Sequence, residues 1–240
     1  MTSLIRIYDI DGTITMPGFD LWHLITRNLA EDTQAFDNAV NEWKARMSQD
    51  GCPYAESREM MKTGLRLMKS NLGYAEVYEE ARKITSDILH KIFPGAIEHV
   101  KTSIHSGFQV VFATTNYLAG GKGFISALSR EGWLDNAEAT SIIVSGSNVN
   151  WETRDVIHFN MGKGKATGIC SVLGYSYDKL KEMIESSYGD DPSGNDREIL
   201  RIAPKAYVIW NDKNRHAKLL PNMQFANWDF INAQATTFNG

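Results

Sequence analysis

Two cysteines, Cys52 and Cys170, are too few to staple a chain of 240 residues. A disulfide-built fold is thereby excluded, and a reducing compartment with both thiols as small buried apolar side chains is the simpler reading. Long apolar runs are also missing. No stretch approaches the roughly 20 apolar residues that a membrane helix needs. The segment from Met1 into Leu4-Ile5-Arg6-Ile7-Tyr8 has neither a long apolar region nor a small-residue cleavage site. These absences predict a cytoplasmic protein without membrane contacts. A basic excess is lacking as well: 25 Lys and Arg stand against 29 Asp and Glu, a formal charge of −4. That balance argues against a nucleic-acid binder, which would present a concentrated basic stripe, but leaves room for a local phosphate pocket. The six histidines are scattered, with no paired spacing for zinc.

With 42% hydrophobic and 22% charged residues, the chain belongs to the soluble globular class. Its length suits one α/β domain, or a core with an insert. Leu4 to Ile10 is a short apolar run closed by Asp11-Gly12, which predicts a buried strand. Four helix-like stretches follow. Phe19 to Ala30 carries a broad apolar face, and Phe36, Val40, Trp43 and Met47 form one helical stripe. The Asp50-Gly51-Cys52-Pro53 break ends that stripe. Met61, Leu65 and Met68 mark a third helix, and Val77, Ala81, Ile84 and Ile88 a fourth.

After Phe93-Pro94-Gly95 the texture changes. Strand-like runs at 109–113, 141–144 and 206–210 alternate with helical patterns at 96–105, 122–130, 166–173 and 177–185. Such alternation predicts a parallel sheet covered on both faces. The expected architecture is an α/β core, residues 1–17 and 86–240, interrupted after its first strand by an all-helical insert at 18–85. The segment from Asn222 either docks on the core or frays.

Three motifs carry chemistry. The first is Tyr8-Asp9-Ile10-Asp11-Gly12-Thr13-Ile14-Thr15. Carboxylates one residue apart point to opposite sides of a strand. At a strand end, however, a turn can bring both to the crevice beyond the sheet's carboxyl edge. One can then attack phosphorus, while the other protonates the leaving oxygen and later deprotonates water. The bland alternative is an Asp-Gly turn with a capping Asp. The second motif is Val110-Val111-Phe112-Ala113-Thr114-Thr115-Asn116, an apolar strand ending in hydroxyls able to hold a phosphoryl oxygen. The third is the acidic Gly189-Asp190-Asp191-Pro192-Ser193-Gly194-Asn195-Asp196. Gly162-Lys163-Gly164-Lys165-Ala166-Thr167 looks like a P-loop at first sight, but Ala follows Lys165 and the upstream glycine spacing is wrong.

Taken in chain order, with the lysine-bearing Gly162–Thr167 segment standing third and the acidic motif fourth, these segments resemble the four motifs of the haloacid-dehalogenase (HAD) superfamily phosphatases, in the phosphoserine-phosphatase-like branch with a helical cap. The resemblance implies a Rossmann-like core with residues 18–85 as the cap. It implies Asp9 as nucleophile and Asp11 as general acid and base. Thr114, with Thr115 as second choice, would bind the phosphoryl group. Lys165, in preference to Lys163, would offset its charge. Mg²⁺ would be held by Asp9, Asp11 and Asp190, hard oxygen ligands of the kind this ion takes. Asp196 or Asp191 would support the metal shell, and the gap from Asp190 to Asp196 is about two residues longer than usual. The implied activity is hydrolysis of a small phosphorylated metabolite. A phosphotransferase or phosphomutase would share the aspartyl-phosphate step, and a non-catalytic phosphate-binding module is the reading of a different class. A dehalogenase is disfavoured, because halide departure needs no acid at Asp11. Asp20 is the one acidic residue soon after the first motif that could meet a substrate amine. Arg46, Arg58, Lys62 and Arg66 are the insert's candidate pocket cations.

Overall fold

The computed structural model describes residues 3–50 and 54–237. Gly51, Cys52 and Pro53, the expected helix break, lie outside the described residues, as does the side chain of Met47. Strand β1 (Ile5–Tyr8) is buried on both faces, Ile5 and Ile7 packing on one side of the sheet and Tyr8 on the other. A strand apolar on both faces belongs in the middle of a parallel sheet. There it lies, flanked in parallel by β2 (Gln109–Tyr117) and β5 (Ile184–Gly189). With β3 (Ile143–Asn150), β4 (Asp155–His158), β6 (Lys205–Ile209) and β7 (Met223–Ala226), the order is β4-β3-β2-β1-β5-β6-β7. Only the β3–β4 pair is antiparallel. The strand order therefore reverses between β1 and β5, and the crevice at their carboxyl ends is the switch point where open α/β sheets bind ligands.

Helices α5 (Pro94–His105), α6 (Leu118–Arg130) and α11 (Trp228–Thr237) cover the face of Tyr8, Phe112 and Tyr188. On the opposite face, α8 (Lys163–Leu173), α9 (Tyr177–Met183) and α10 (Arg197–Ile202) pack on Ile5, Ile7 and Val111. A short helix, α7 (Asn136–Ser141), precedes β3. The expected 177–185 helix stops at Met183, and Ile184 and Glu185 open β5 instead. The polar texture of Glu185-Ser186-Ser187 hid that strand. Its serines are nonetheless buried, and the Ser186 hydroxyl bonds Glu185 and Tyr188.

The insert holds α1 (Leu21–Leu29), α2 (Thr33–Asp50), α3 (Tyr54–Leu67) and α4 (Tyr74–Asp87). The chain leaves and re-enters the core through a paired neck. Met16 N–H donates to Lys91 O at 2.7 Å, Phe93 N–H donates to Ile14 O at 2.9 Å, and Thr15 bridges Ile92. The expected boundary at 85 falls inside α4, two residues before its end at Asp87. That helix also lies hard against α6, since a β-carbon on Gly123 would fall 2.4 Å from Tyr78 O. Among the described residues, no helix is long and apolar enough to cross a membrane.

The segment after Asn222 docks. It supplies β7 and then Trp228, whose ring stacks on Tyr188 (centroids 5.6 Å apart) and whose Nε1–H donates to Thr13 O at 2.9 Å. Beside it lies a buried polar network. His99 Nδ1 is 3.0 Å from Tyr8 Oη, Tyr8 Oη is 2.8 Å from Ser103 Oγ, and Arg6 donates to that same Oγ. Burial, aided by the nearby Arg6 charge and opposed by Glu185, lowers the His99 pKa from 6.5 to about 3. Between those values the unfolded chain binds a proton that the native state does not, so this residue makes stability rise with pH there. The limiting slope is about 1.4 kcal/mol per pH unit. Urea titrations between pH 6.5 and 4.5 should show wild type losing stability more steeply on acidification than His99→Gln. Equal slopes would remove His99 from the acid response.

Candidate active site

The turn after β1 is built around one carbonyl. Ile10 O accepts the N–H groups of Thr13, Ile14 and Thr15, while Gly12 N–H donates to Thr15 Oγ1 at 3.1 Å. Gly12 has φ +81°, and a β-carbon there would lie 2.3 Å from Asp190 Oδ2. A glycine is thus required twice, for its left-handed backbone and for the approach of that carboxylate.

Asp9 is 1% exposed. Its Oδ1 receives Lys165 Nζ at 2.5 Å, whereas its Oδ2 is buried without a hydrogen-bond partner. Lys165 comes from the first turn of α8 and is fully buried. Its Nζ also donates to Asp196 Oδ1 at 2.5 Å. The other oxygen of Asp196 accepts the N–H groups of Asp190 and Asp191, at 3.0 and 3.1 Å. Asp196 thereby ties the lysine to the loop after β5. Gly189 admits it, because a β-carbon there would sit 2.7 Å from Asp196 Oδ2.

Asp190 is held from behind. Asn211 Nδ2 donates to its Oδ2 at 3.1 Å, and Asn214 Nδ2 donates to its carbonyl at 2.7 Å. These asparagines follow β6 at the same sheet edge, and sequence reasoning missed them. The signal available was a polar Asn-Asp-Lys-Asn segment directly after an apolar strand. Asp191 shapes its own loop, its two carboxylate oxygens accepting Gly194 and Asn195 N–H.

Oxygens of Asp9, Asp190 and Asp196 lie within 4.8 Å of one another. The Asp11 carboxylate, expected among the metal ligands, is not in that group. It turns toward the insert, where Oδ1 accepts Leu21 N–H at 3.0 Å. Its pKa is pushed up to about 8 by burial and by the Asp20 charge. Burial and Asp196 raise Asp9 well above the usual carboxylate range, with Lys165 opposing. Burial, Asp196 and Asp191 bring Asp190 to about 7. For Lys165 burial lowers the pKa, but Asp196 and Asp9 outweigh it and hold the ammonium charged. The site is short of positive charge. An orphaned buried carboxylate oxygen beside a second carboxylate is a donor set that a hard divalent cation fits.

The two threonines diverge. Thr114 Oγ1 accepts Asn116 N–H at 3.1 Å, and its carbonyl accepts from the buried Asn160 side chain. Thr115 Oγ1 donates to Asn195 Oδ1 at 2.6 Å and lines a cavity of about 330 Å³ shared with Asp11. Lys163, the first residue of α8, is exposed and lines a larger groove of about 910 Å³ that none of these aspartates lines. Of the insert's candidate cations, Arg58 donates to Val156 O and Lys62 pairs with Glu59. Arg46 lines a separate groove, and Arg66 is exposed.

No family model and no curated protein matches the chain. Solved structures do. One is a protein of unknown function from Bordetella pertussis Tohama I, 13% identical with TM-score 0.68, the match covering 95% of this chain and 100% of that one. Cytosolic 5'-nucleotidase IIIB bound to cytidine is 13% identical with TM-score 0.59, over 98% and 88% of the two chains. A phosphoserine phosphatase from T. onnurineus is 12% identical with TM-score 0.55, over 97% and 94%. The chain has the fold of the HAD phosphatases.

Removing Lys165 would leave two buried carboxylates without their counter-charge, a loss typically worth about 3–5 kcal/mol. Lys165→Ala should lower unfolding stability by that order, while Lys163→Ala should stay within about 0.5 kcal/mol of wild type. Similar small effects in both would remove Lys165 from the centre of the site. Gly12→Ala should cost about 1–2 kcal/mol for its backbone alone and, by displacing Asp190, weaken divalent-cation binding in calorimetry. Unchanged binding would show that Asp190 does not need that approach.

Proposed function

We propose that the chain is a magnesium-dependent phosphatase that hydrolyses a small phosphomonoester through an aspartyl-phosphate on Asp9. One observation carries this reading: Lys165 clamps one oxygen of Asp9, while the other is buried with no partner. A carboxylate so held is oriented and only partly neutralised, as a nucleophile must be.

In the first half-reaction a carboxylate oxygen of Asp9 attacks phosphorus. The bond from phosphorus to the ester oxygen breaks, and the departing alcohol takes a proton from Asp11. In the second, water attacks the phospho-aspartate and gives a proton to Asp11, so that phosphate leaves and Asp9 is restored. Asp11 suits both steps because it lines the cavity that would receive the alcohol. Thr114 and Thr115, at the end of β2, supply hydroxyls for the phosphoryl oxygens, with Lys165 offsetting their charge. Asp9 and Asp190 would hold Mg²⁺, which supplies the positive charge that the carboxylates and phosphate lack. Two unit negative charges about 4 Å apart repel by roughly 4 kcal/mol at an effective dielectric near 20.

The helical insert serves as the cap. Trp22, Trp43, Met60 and Met61 close the cavity opposite Asp11, Thr115 and Asn116, so closure keeps bulk water from the reacting centre. The setting is cytoplasmic and the substrate a phosphorylated metabolite.

The decisive test is trapping of a phospho-protein with labelled substrate. Asp9→Asn should keep the fold and abolish both label and turnover. Asp11→Asn should slow turnover by about 10²–10⁴-fold, and chelation should silence the wild type until Mg²⁺ returns. Label on another residue, or full turnover after chelation, would overturn the mechanism.

A further inference from the structure

The cavity beside Asp11 is walled by rings and thioethers. Trp22, Trp43, Met60 and Met61 come from the insert, and Phe159 and Met161 from the core. Among its described lining residues there is no Lys, Arg or His, so a second anionic group on the substrate would meet no counter-charge. The carboxylates there are partly committed. Both Asp191 oxygens accept loop N–H groups, and Asp20 Oδ1 caps α1 by accepting His23 N–H.

Asn116 and Trp43 each bring to this wall a buried donor with no acceptor. Asn116 is 1% exposed, and its Oδ1 accepts Tyr117 N–H at 2.7 Å, which fixes the amide the right way round. Its Nδ2 is then buried without a partner, as is Trp43 Nε1. A buried donor left unpaired is costly, and a ligand acceptor removes the cost. Flat aromatic walls that hold unpaired donors suit a ring that offers its faces to the walls and acceptor atoms at its rim. An amino-acid alcohol suits them poorly, since its carboxylate would find no cation.

We propose that the cavity binds an uncharged heteroaromatic alcohol, and that the preferred substrate is its phosphate monoester. The word substrate rests on the phosphatase reading above, but the preference for the ring is a binding property that can be measured without turnover. Asn116 Nδ2 and Trp43 Nε1 donate to the acceptors of the ring, and its hydroxyl side faces Asp11.

Saturation-transfer NMR on the full-length wild-type chain tests this with free pyridoxine and uridine as ring probes, and L-serine and glycerol as comparators. Saturable transfer to the ring protons is expected, with none to the comparators. Trp43→Ala should weaken ring binding about tenfold, the order lost with a buried aromatic contact. Trp43→Phe keeps the ring without its N–H and should weaken binding a few-fold; it serves where the alanine variant does not fold by circular dichroism. Serine binding as well as the rings, no ring binding, or a dissociation constant unchanged in a folded variant would each overturn the proposal. A second arm compares kcat/KM for pyridoxine 5'-phosphate, phosphoserine and glycerol phosphate. Ring binding without turnover of any ester would overturn the phosphatase reading and leave this site standing. Turnover that favours phosphoserine would overturn this site and leave the phosphatase reading standing.

Discussion

One buried ammonium organises the site. Lys165 Nζ sits between Asp9 and Asp196 at 2.5 Å from each, with no exposure to solvent. Taking three charges out of water is expensive, and the arrangement persists only because each is answered by a hydrogen bond. The lysine reaches that point because α8 starts tightly. Gly164 brings the helix start against Phe159, where a β-carbon would lie 2.0 Å from the carbonyl oxygen. Asp196 in turn spends its second oxygen on two backbone N–H groups, which sets the loop carrying Asp190. Asp9, Lys165, Asp196 and Asp190 are thus links in one chain of bonds from β1 through α8 to the loop after β5.

Topology makes that chain short. β1 and β5 are hydrogen-bonded neighbours in the sheet although about 180 residues separate them in sequence. Asp9 and Asp190 each follow the last residue of their strand, so the parallel register alone carries both to one edge. Two glycines do the rest by absence: Gly12 leaves room for the Asp190 carboxylate and Gly189 for that of Asp196. The surplus of negative charge so assembled is unfavourable by itself, which is why burial and neighbouring carboxylates push Asp9 and Asp190 upward.

The insert and the C-terminal segment act on this centre from opposite sides. Asp11 accepts Leu21 N–H, so the first helix of the insert is bonded to the turn that follows Asp9. Trp228 donates to Thr13 O from the other end of the chain and stacks within the Tyr8–Tyr188 cluster. The turn is held by residues more than 200 positions apart. Rigidity of that kind holds the Asp9 and Asp11 carboxylates in fixed places.

Local patterns were enough to read much of this. The apolar run before Asp9, the helical stripes of the insert and the Gly-Lys start of α8 depend on neighbours within a few residues, and such signals survive in a single sequence. They read the α/β fold class and pointed to a helical insert, while the resemblance of the motifs singled out Asp9, Asp11, Thr114, Thr115, Lys165 and Asp190 as candidates. What they left open was set by contacts distant in sequence. Lys163 and Lys165 stand two residues apart in one helix turn, and only the packing of α8 on β2 and β3 decides which is buried. Asp196 is a partner of Lys165, and Asp191 a loop brace, because of the bonds around Gly189 and Asn195, which no spacing rule encodes. β5 was hidden because its polar residues are buried inside the fold, Ser186 bonding Glu185 and Tyr188, and the tail docks because Trp228 finds one particular carbonyl. Sequence periodicity reports what a segment can bury; tertiary structure decides against what.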